Sequence, residues 1–251
     1  MRRDHPRPDR ALVTDVLAAA RALADAGGTG ALATVIAGDR AGVPFLVDAS
    51  GKVLAGDPAE LLTPAVVEEI ARRIDREVSG VVPSTGIEIF LDVITPPPTL
   101  RLFGAGPIAE ALCRLAARAG FRVVVGDPRS AHALPERYPD AVTVSCGWPD
   151  DLVAADPFDR RTFVVSLLHI ERFEDPLLPM ALRAGVRYLG ALGSRKTHAA
   201  RLERLRAAGH TSAELDRIHG PVGLSIGAVT PEEIAVAILA EMVQVRRSER
   251  S

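Results

Sequence analysis

The sequence predicts an α/β chain in two parts. A small mixed α/β module covers residues 1–95, and a doubly wound parallel sheet covers residues 100–251. Three observations predict this. Thr95-Pro96-Pro97-Pro98-Thr99 can continue neither a helix nor a central strand and favours an extended spacer, so residues 96–99 read as a linker. Beyond it, β-rich runs alternate with helical stretches of ten or more residues, the rhythm of parallel βαβ units. A glycine-rich turn joins the first strand of that series to its first helix.

In the first part, residues 10–26 read as an amphipathic helix. Its apolar side carries Leu12, Val16, Leu17, Ala20, Leu23 and Ala24, and Gly27-Gly28 ends it. Short strands follow at 31–37, 43–48 and 52–55, the last two joined by the tight-turn sequence Ala49-Ser50-Gly51. A second helix starts at Thr63-Pro64, a cap followed by proline, and runs to about residue 78. Residues 87–94 alternate as a half-buried strand does. In the second part, strands are predicted at 100–103, 122–125, 142–145, 162–167 and 187–190. Helices are predicted at 107–119, 174–184, 195–208 and 231–246.

Composition narrows the function. Thirty Lys+Arg against 32 Asp+Glu give a net charge of -2, so no sequence-wide field exists for nucleic acid or an anionic membrane. No apolar run approaches the roughly 20 residues needed to cross a bilayer. The basic start has no apolar core behind it, so a signal peptide is not expected and the default location is cytoplasmic. Two cysteines cannot form a disulfide framework. The histidines show no i, i+4 or H-x-E arrangement, so no metal site is expected.

The chemistry concentrates in Phe103-Gly104-Ala105-Gly106-Pro107-Ile108-Ala109. This G-x-G-x-x-A follows an apolar strand and opens a helix, and a second strand ends on Asp127, 23 residues after Gly104. That context is the Rossmann dinucleotide fingerprint. Gly104 permits the tight turn, Gly106 lets the backbone approach a pyrophosphate, and Ala109 lets the helix lie close on the strand. Free N–H groups from Ala105 to Ile108 face the phosphates, with Pro107 at the first helical position supplying none. Asp127 is expected to bind the ribose diol, which favours NAD over NADP among the NAD(P) cofactors. Arg129, two residues on, either stacks on adenine or meets a 2′-phosphate.

Other candidates lie further along. His169 follows the fourth strand at the carboxyl edge of the sheet. It is either a proton donor or acceptor near a nicotinamide or pterin, or a loop histidine with a local hydrogen bond. Ser194 reads as a helix N-cap, and the Gly193-Ser194-Arg195 turn is a candidate second anion site with Arg195 as its charged clamp. Thr230-Pro-Glu-Glu233 reads as a structural capping box. Cys113 and Cys146 read as buried cysteines.

Three blocks carry a resemblance: residues 103–109, Tyr188-Leu-Gly-Ala-Leu-Gly-Ser-Arg-Lys-Thr-His198, and residues 217–241 with Gly223-Leu-Ser-Ile-Gly-Ala-Val-Thr-Pro-Glu-Glu233. They resemble the XdhC/CoxI family, the xanthine dehydrogenase accessory factors. The resemblance implies a Rossmann domain behind a smaller N-terminal domain, and a homodimer. It also implies a role in handling or inserting the molybdenum cofactor of a molybdenum hydroxylase such as xanthine or carbon monoxide dehydrogenase. Departures are equally plain. Where the family carries cysteine-containing elements, this chain reads Ala55-Gly-Asp-Pro-Ala-Glu60 and Val82-Pro-Ser-Thr-Gly86, and Ser225 stands where the family usually has an aspartate. Without a thiolate, direct cofactor sulfuration by the N-terminal part is not expected. Two functions follow. One is an accessory protein that docks on a molybdenum hydroxylase. The other is an NAD(P)-dependent oxidoreductase in which His169 and Arg195 serve the substrate.

Overall fold

A computed structural model describes residues 9–38, 40–84, 87–168 and 170–248. The chain divides into two compact units, Met1–Pro96 with Arg246–Ser251, and Pro97–Val245.

The first unit begins with α1 (Arg10–Asp25), whose first turn is capped by the Asp9 carboxylate accepting from the Ala11 N–H. Strands β1 (Gly30–Ala37), β2 (Pro44–Val47) and β3 (Val53–Gly56) follow, then α2 (Pro64–Arg76), β4 (Gly80–Ser84) and β5 (Ile87–Ile94). The five strands form one antiparallel sheet in the order β3-β2-β1-β5-β4. Alternation along β1 decides which helix covers which face. Ala31, Ala33 and Val35 pack with Val66, Ile70 and Ile74 of α2, while Leu32 joins Val16 and Ala20 of α1. The β2–β3 turn is locked by Asp48, which accepts from the Ser50 and Lys52 N–H groups. The sequence did not signal β4. It is a sheet edge containing Pro83, the kind of strand that proline tolerates.

The second unit is a strand-and-helix series: β6 (Thr99–Phe103), α3 (Pro107–Arg118), β7 (Arg122–Asp127), β8 (Thr143–Cys146), α4 (Pro149–Ala155) and β9 (Thr162–Ser166). Then come α5 (Glu171–Ala184), β10 (Tyr188–Ala191), α6 (Arg195–Ala207), α7 (Ser212–Leu215), β11 (Ile218–His219) and α8 (Pro231–Arg247). All six strands are parallel, in the order β8-β7-β6-β9-β10-β11. Numbered from β6, this is the 3-2-1-4-5-6 order of the Rossmann fold, and its switch point lies between β6 and β9. Helices α3 and α8 cover one face through Leu112, Ala116, Ile238 and Met242, and α5, α6 and α7 cover the other through Leu177, Leu178, Leu205 and Leu215. Helix α5 starts three residues before its predicted start and runs through Pro176 and Pro179. Burial of Phe173, Leu177, Leu178, Ala181 and Leu182 outweighs the poor local propensity. The two-residue β11 and the short α4 and α7 carry too little periodicity to be seen in sequence.

Candidate functional site

The carboxyl ends of β6 and β9 frame a crevice bordered by Gly104, Gly106, Pro107, Ile108, Ala109, Arg129, Leu167, Leu168 and Leu192. Gly104 is held at φ +115°, a conformation that side chains rarely adopt. A Cβ there would lie 2.9 Å from Leu168 Cγ and 3.1 Å from the Leu167 carbonyl carbon. The two strand ends therefore pass in backbone contact, clipped by the Leu167 N–H donating to the Phe103 carbonyl at 2.8 Å. Gly106 differs: a Cβ on it would meet nothing within 4 Å. It is the N-cap of α3 and offers no capping side chain. Among the described residues, the N–H groups of Gly106, Ile108 and Ala109 find no backbone acceptor. The unpaired Gly106 amide and the positive end of the α3 dipole thus border the open crevice, as an anion requires, while Ala109 itself is fully buried. The crevice holds about 130 Å³, below the roughly 300–1,000 Å³ of a typical ligand pocket. Its volume suits a phosphate-sized group rather than a whole nucleotide.

A larger cavity of about 360 Å³ lies against the other part of the sheet, between β6–β8 and α4. Its buried Arg101 is spent on structure, capping α4 by donating to the Leu152 and Asp156 carbonyls.

Asp127 corrects the sequence expectation. Its side chain has no exposed surface, and its carboxylate accepts from the Ala105 N–H at 2.7 Å, the Arg129 N–H at 2.8 Å, and Arg129 Nε and Nη2 at 2.9 and 2.8 Å. With both oxygens occupied from within the protein, it is not placed to receive a ribose. It is a positioning residue that ties the glycine turn to the end of β7. Burial raises its carboxyl, but the Arg129 side chain and the Ala105 and Arg129 N–H groups outweigh that and hold it below the ordinary carboxylate value. Asp127→Asn places a donor where an acceptor is needed and is expected to destabilise the second unit by about 1.5–3 kcal/mol. Urea unfolding followed at Trp148, the single tryptophan, measures this. Because the folded carboxyl is depressed, its contribution is complete above the unfolded value and is lost as pH falls through the folded one. The gap between wild type and variant therefore shrinks below pH about 4.

The segment after β7 is strapped to the same turn. His132 Nδ1 lies 3.2 Å from the Ala105 carbonyl oxygen, and Arg137 pairs with Glu110 in the first turn of α3. Beneath the strap, burial pushes the Tyr138 hydroxyl up to about 12, and it finds no partner among the described residues. No spacing in the sequence announced this strap.

The remaining candidates separate. Ser194 caps α6, its hydroxyl accepting from the Thr197 N–H at 3.1 Å, and both it and Arg195 are exposed outside the crevice, to which their loop contributes Leu192 instead. The structure thus uses Ser194 as a cap and does not bring either residue to the glycine turn. His169 lies outside the described residues. Thr230 and Glu233 cap α8 reciprocally through N–H bonds of 3.2 and 3.0 Å. Cys113 is buried, and burial followed by the Asp140 charge raises its thiol to about 11. Cys146 is exposed rather than buried, because β8 is the sheet edge and only the short α4 follows it.

A buried ion pair beside the switch point was not foreseen from the sequence. Arg201 Nε and Nη2 donate to Glu174 at 3.0 and 2.8 Å, with side-chain exposures of 0% and 2%. Nη2 also donates to the Leu192 carbonyl, and the Ser166 hydroxyl donates to Glu174 at 3.4 Å. One buried network thus fixes the end of β9, the start of α5 and the β10–α6 turn. A signal existed: Arg201 stands four residues before buried Leu205, in the apolar register of α6.

Comparison with known proteins agrees with this geometry. A family model described as the XdhC Rossmann domain matches residues 100–242. The chain is 35% identical over 159 residues to a Bacillus subtilis (strain 168) protein named as the probable A component of xanthine dehydrogenase, covering 63% of this chain and 46% of the relative. It is 32% identical over 149 residues to the molybdenum cofactor insertion chaperone PaoD of Escherichia coli (strain K12), covering 59% of this chain and 40% of the relative. The chain therefore spans less than half the length of these curated relatives. A solved structure described as a xanthine dehydrogenase from Bacillus halodurans shares the fold, with a TM-score of 0.72 at 23% identity over 94% of this chain and 68% of that one. The strand order, the glycine turn at the switch point and the match over residues 100–242 together place this chain in the XdhC family.

Proposed function

We propose that the chain is an XdhC-type accessory protein acting in the maturation of a molybdenum hydroxylase, such as xanthine or carbon monoxide dehydrogenase. In this reading its Rossmann unit holds a dinucleotide, NAD(P), by the diphosphate. The carrying observation is the crevice at the β6–β9 switch point, whose unpaired amides belong to a unit that the XdhC family model matches. A relative named as a molybdenum cofactor insertion chaperone supports the maturation role. The molybdenum cofactor is cargo in this reading, and the fit is partial. The amides suit its phosphate-bearing part, but the metal finds no built thiolate ligand. The first unit contains no cysteine, Cys113 is buried in α3, and Cys146 stands alone on the sheet edge. No step at molybdenum is therefore derived.

A homodimer belongs to the same proposal. Val229, Val236 and Val243 recur every seven residues before and along α8 and are all exposed, Val229 by 80%. A second copy would cover this stripe. A cytoplasmic location belongs to the same proposal, supported by the two free cysteines.

The test is to purify the protein from its own cells, extract it and identify the released small molecule by mass. The expected result is a dinucleotide, or a pterin that fluoresces after acid oxidation, together with a copurifying molybdenum hydroxylase. Light scattering is expected to give a native mass of twice 26.6 kDa. The cysteine-free first unit favours a second reading, an NAD(P)-dependent oxidoreductase. Bound NAD(P)H whose nicotinamide absorbance changes on turnover, with no pterin and no hydroxylase, would establish that reading instead.

A further inference from the structure

We infer that Arg129 reads a phosphate monoester on the ribose of the bound dinucleotide, so that the site takes a 2′-phosphorylated dinucleotide (NADP) in preference to NAD. The inference rests on the dinucleotide reading of the crevice proposed above. Three observations carry it.

First, the group expected to select an unmodified ribose is withdrawn. Asp127 ends β7, the strand beside β6, where a dinucleotide fold places the adenosine ribose. Its carboxylate is wholly buried and already accepts four hydrogen bonds. No other carboxylate borders the crevice among the described residues. The preference for NAD rested on a free Asp127, and that ground is gone.

Second, the group left facing the ligand is cationic and held in place. Arg129 borders the crevice beside Gly106 and Ile108, with its side chain 44% exposed. Asp127 engages the guanidinium along its Nε–Nη2 edge. Nη1 donates to nothing among the described residues, and Nη2 keeps a second hydrogen. The carboxylate thus fixes the guanidinium plane from the protein side and leaves its outer end open. A fork fixed in advance loses little freedom on meeting the oxygens of a phosphate.

Third, the next residue, Ser130, is exposed, and its hydroxyl has no partner among the described residues. It leaves an uncommitted neutral donor next in sequence to the fork.

The experiment is calorimetric titration of the full chain with NADP, NAD, 2′,5′-ADP, 5′-ADP and inorganic phosphate. We expect NADP to bind at least about tenfold more tightly than NAD, and 2′,5′-ADP to exceed 5′-ADP by a similar factor, the scale of one charged hydrogen bond. Equal or tighter binding of NAD, with 5′-ADP matching 2′,5′-ADP, overturns the inference and leaves the dinucleotide reading standing. Inorganic phosphate binding as tightly as 2′,5′-ADP also overturns it, since Arg129 would then bind an adventitious ion only. Absence of binding by every nucleotide overturns the dinucleotide reading itself. Arg129→Lys keeps the charge and removes the fork. It is expected to weaken NADP about tenfold and NAD less than about threefold. Equal losses for both would overturn the assignment, and the wild-type comparison decides alone if the variant misfolds.

Discussion

Arg201→Met is expected to lower the stability of the second unit by about 3–5 kcal/mol, read from urea unfolding at Trp148. The substitution removes the cation that makes the close contacts to the buried Glu174 carboxylate and leaves it only Arg204 at 4.0 Å, and a buried charge deprived of its hydrogen-bonded partner costs far more than the intact pair contributes. It also frees the Leu192 carbonyl from its donor, so the turn entering α6 loses an anchor. Glu174→Gln should cost less, since an amide oxygen still accepts from one guanidinium nitrogen and from Ser166. The double change Glu174→Leu with Arg201→Met should recover much of the loss, because no orphaned charge remains. If the single arginine change were nearly neutral, water or Arg204 would be serving Glu174 and the Arg201 network would not be acting as a brace.

Gly104→Ala and Gly106→Ala, one methyl group each, are expected to differ in their effect on stability. At Gly104 the new methyl meets the Leu167–Leu168 backbone at about 3 Å in a conformation that alanine resists. The strand ends must part, and both folding stability and ligand binding should fall. The stability loss should be about 1–3 kcal/mol. At Gly106 the backbone is extended and the methyl has open space, so stability should change by less than about 0.5 kcal/mol. On the proposed function the methyl stands in the path of the diphosphate, however, and dinucleotide binding should fall by about tenfold or more. Melting temperature and calorimetric affinity, measured on both variants, separate the two effects. Unchanged affinity in the Gly106 variant would remove the diphosphate from the turn.

Much of the site was legible as local chemistry. Gly104 announces a turn because its backbone suits glycine alone, and Gly106 announces a place where the chain carries no side chain toward the crevice. Ala109 announces close helix packing, and the structure has it fully buried. Ser194 and the Thr230–Glu233 box announce helix starts because capping acts within three residues. The site failed to be legible where partners are distant in sequence. Asp127 is an acid at the right spacing for a ribose, yet its contact to Ala105 spans 22 residues, and no spacing rule says which way a carboxylate turns. Arg201 and Glu174 are 27 residues apart on different helices. Cys146 was expected to be buried as most cysteines are, whereas its exposure follows from β8 being an edge.

Local residue patterns sufficed for the two-part α/β plan, the parallel strand-and-helix series and the glycine turn. These rest on periodicities and backbone preferences that act within a few residues. Three features emerged from the folded arrangement alone: Asp127 faces inward, Arg129 is held by Asp127 at the border of the crevice, and a buried ion pair braces the switch point. The reason is physical. A charged side chain turns toward whichever partner relieves its loss of water, and here those partners arrive from strands and helices brought together only by folding.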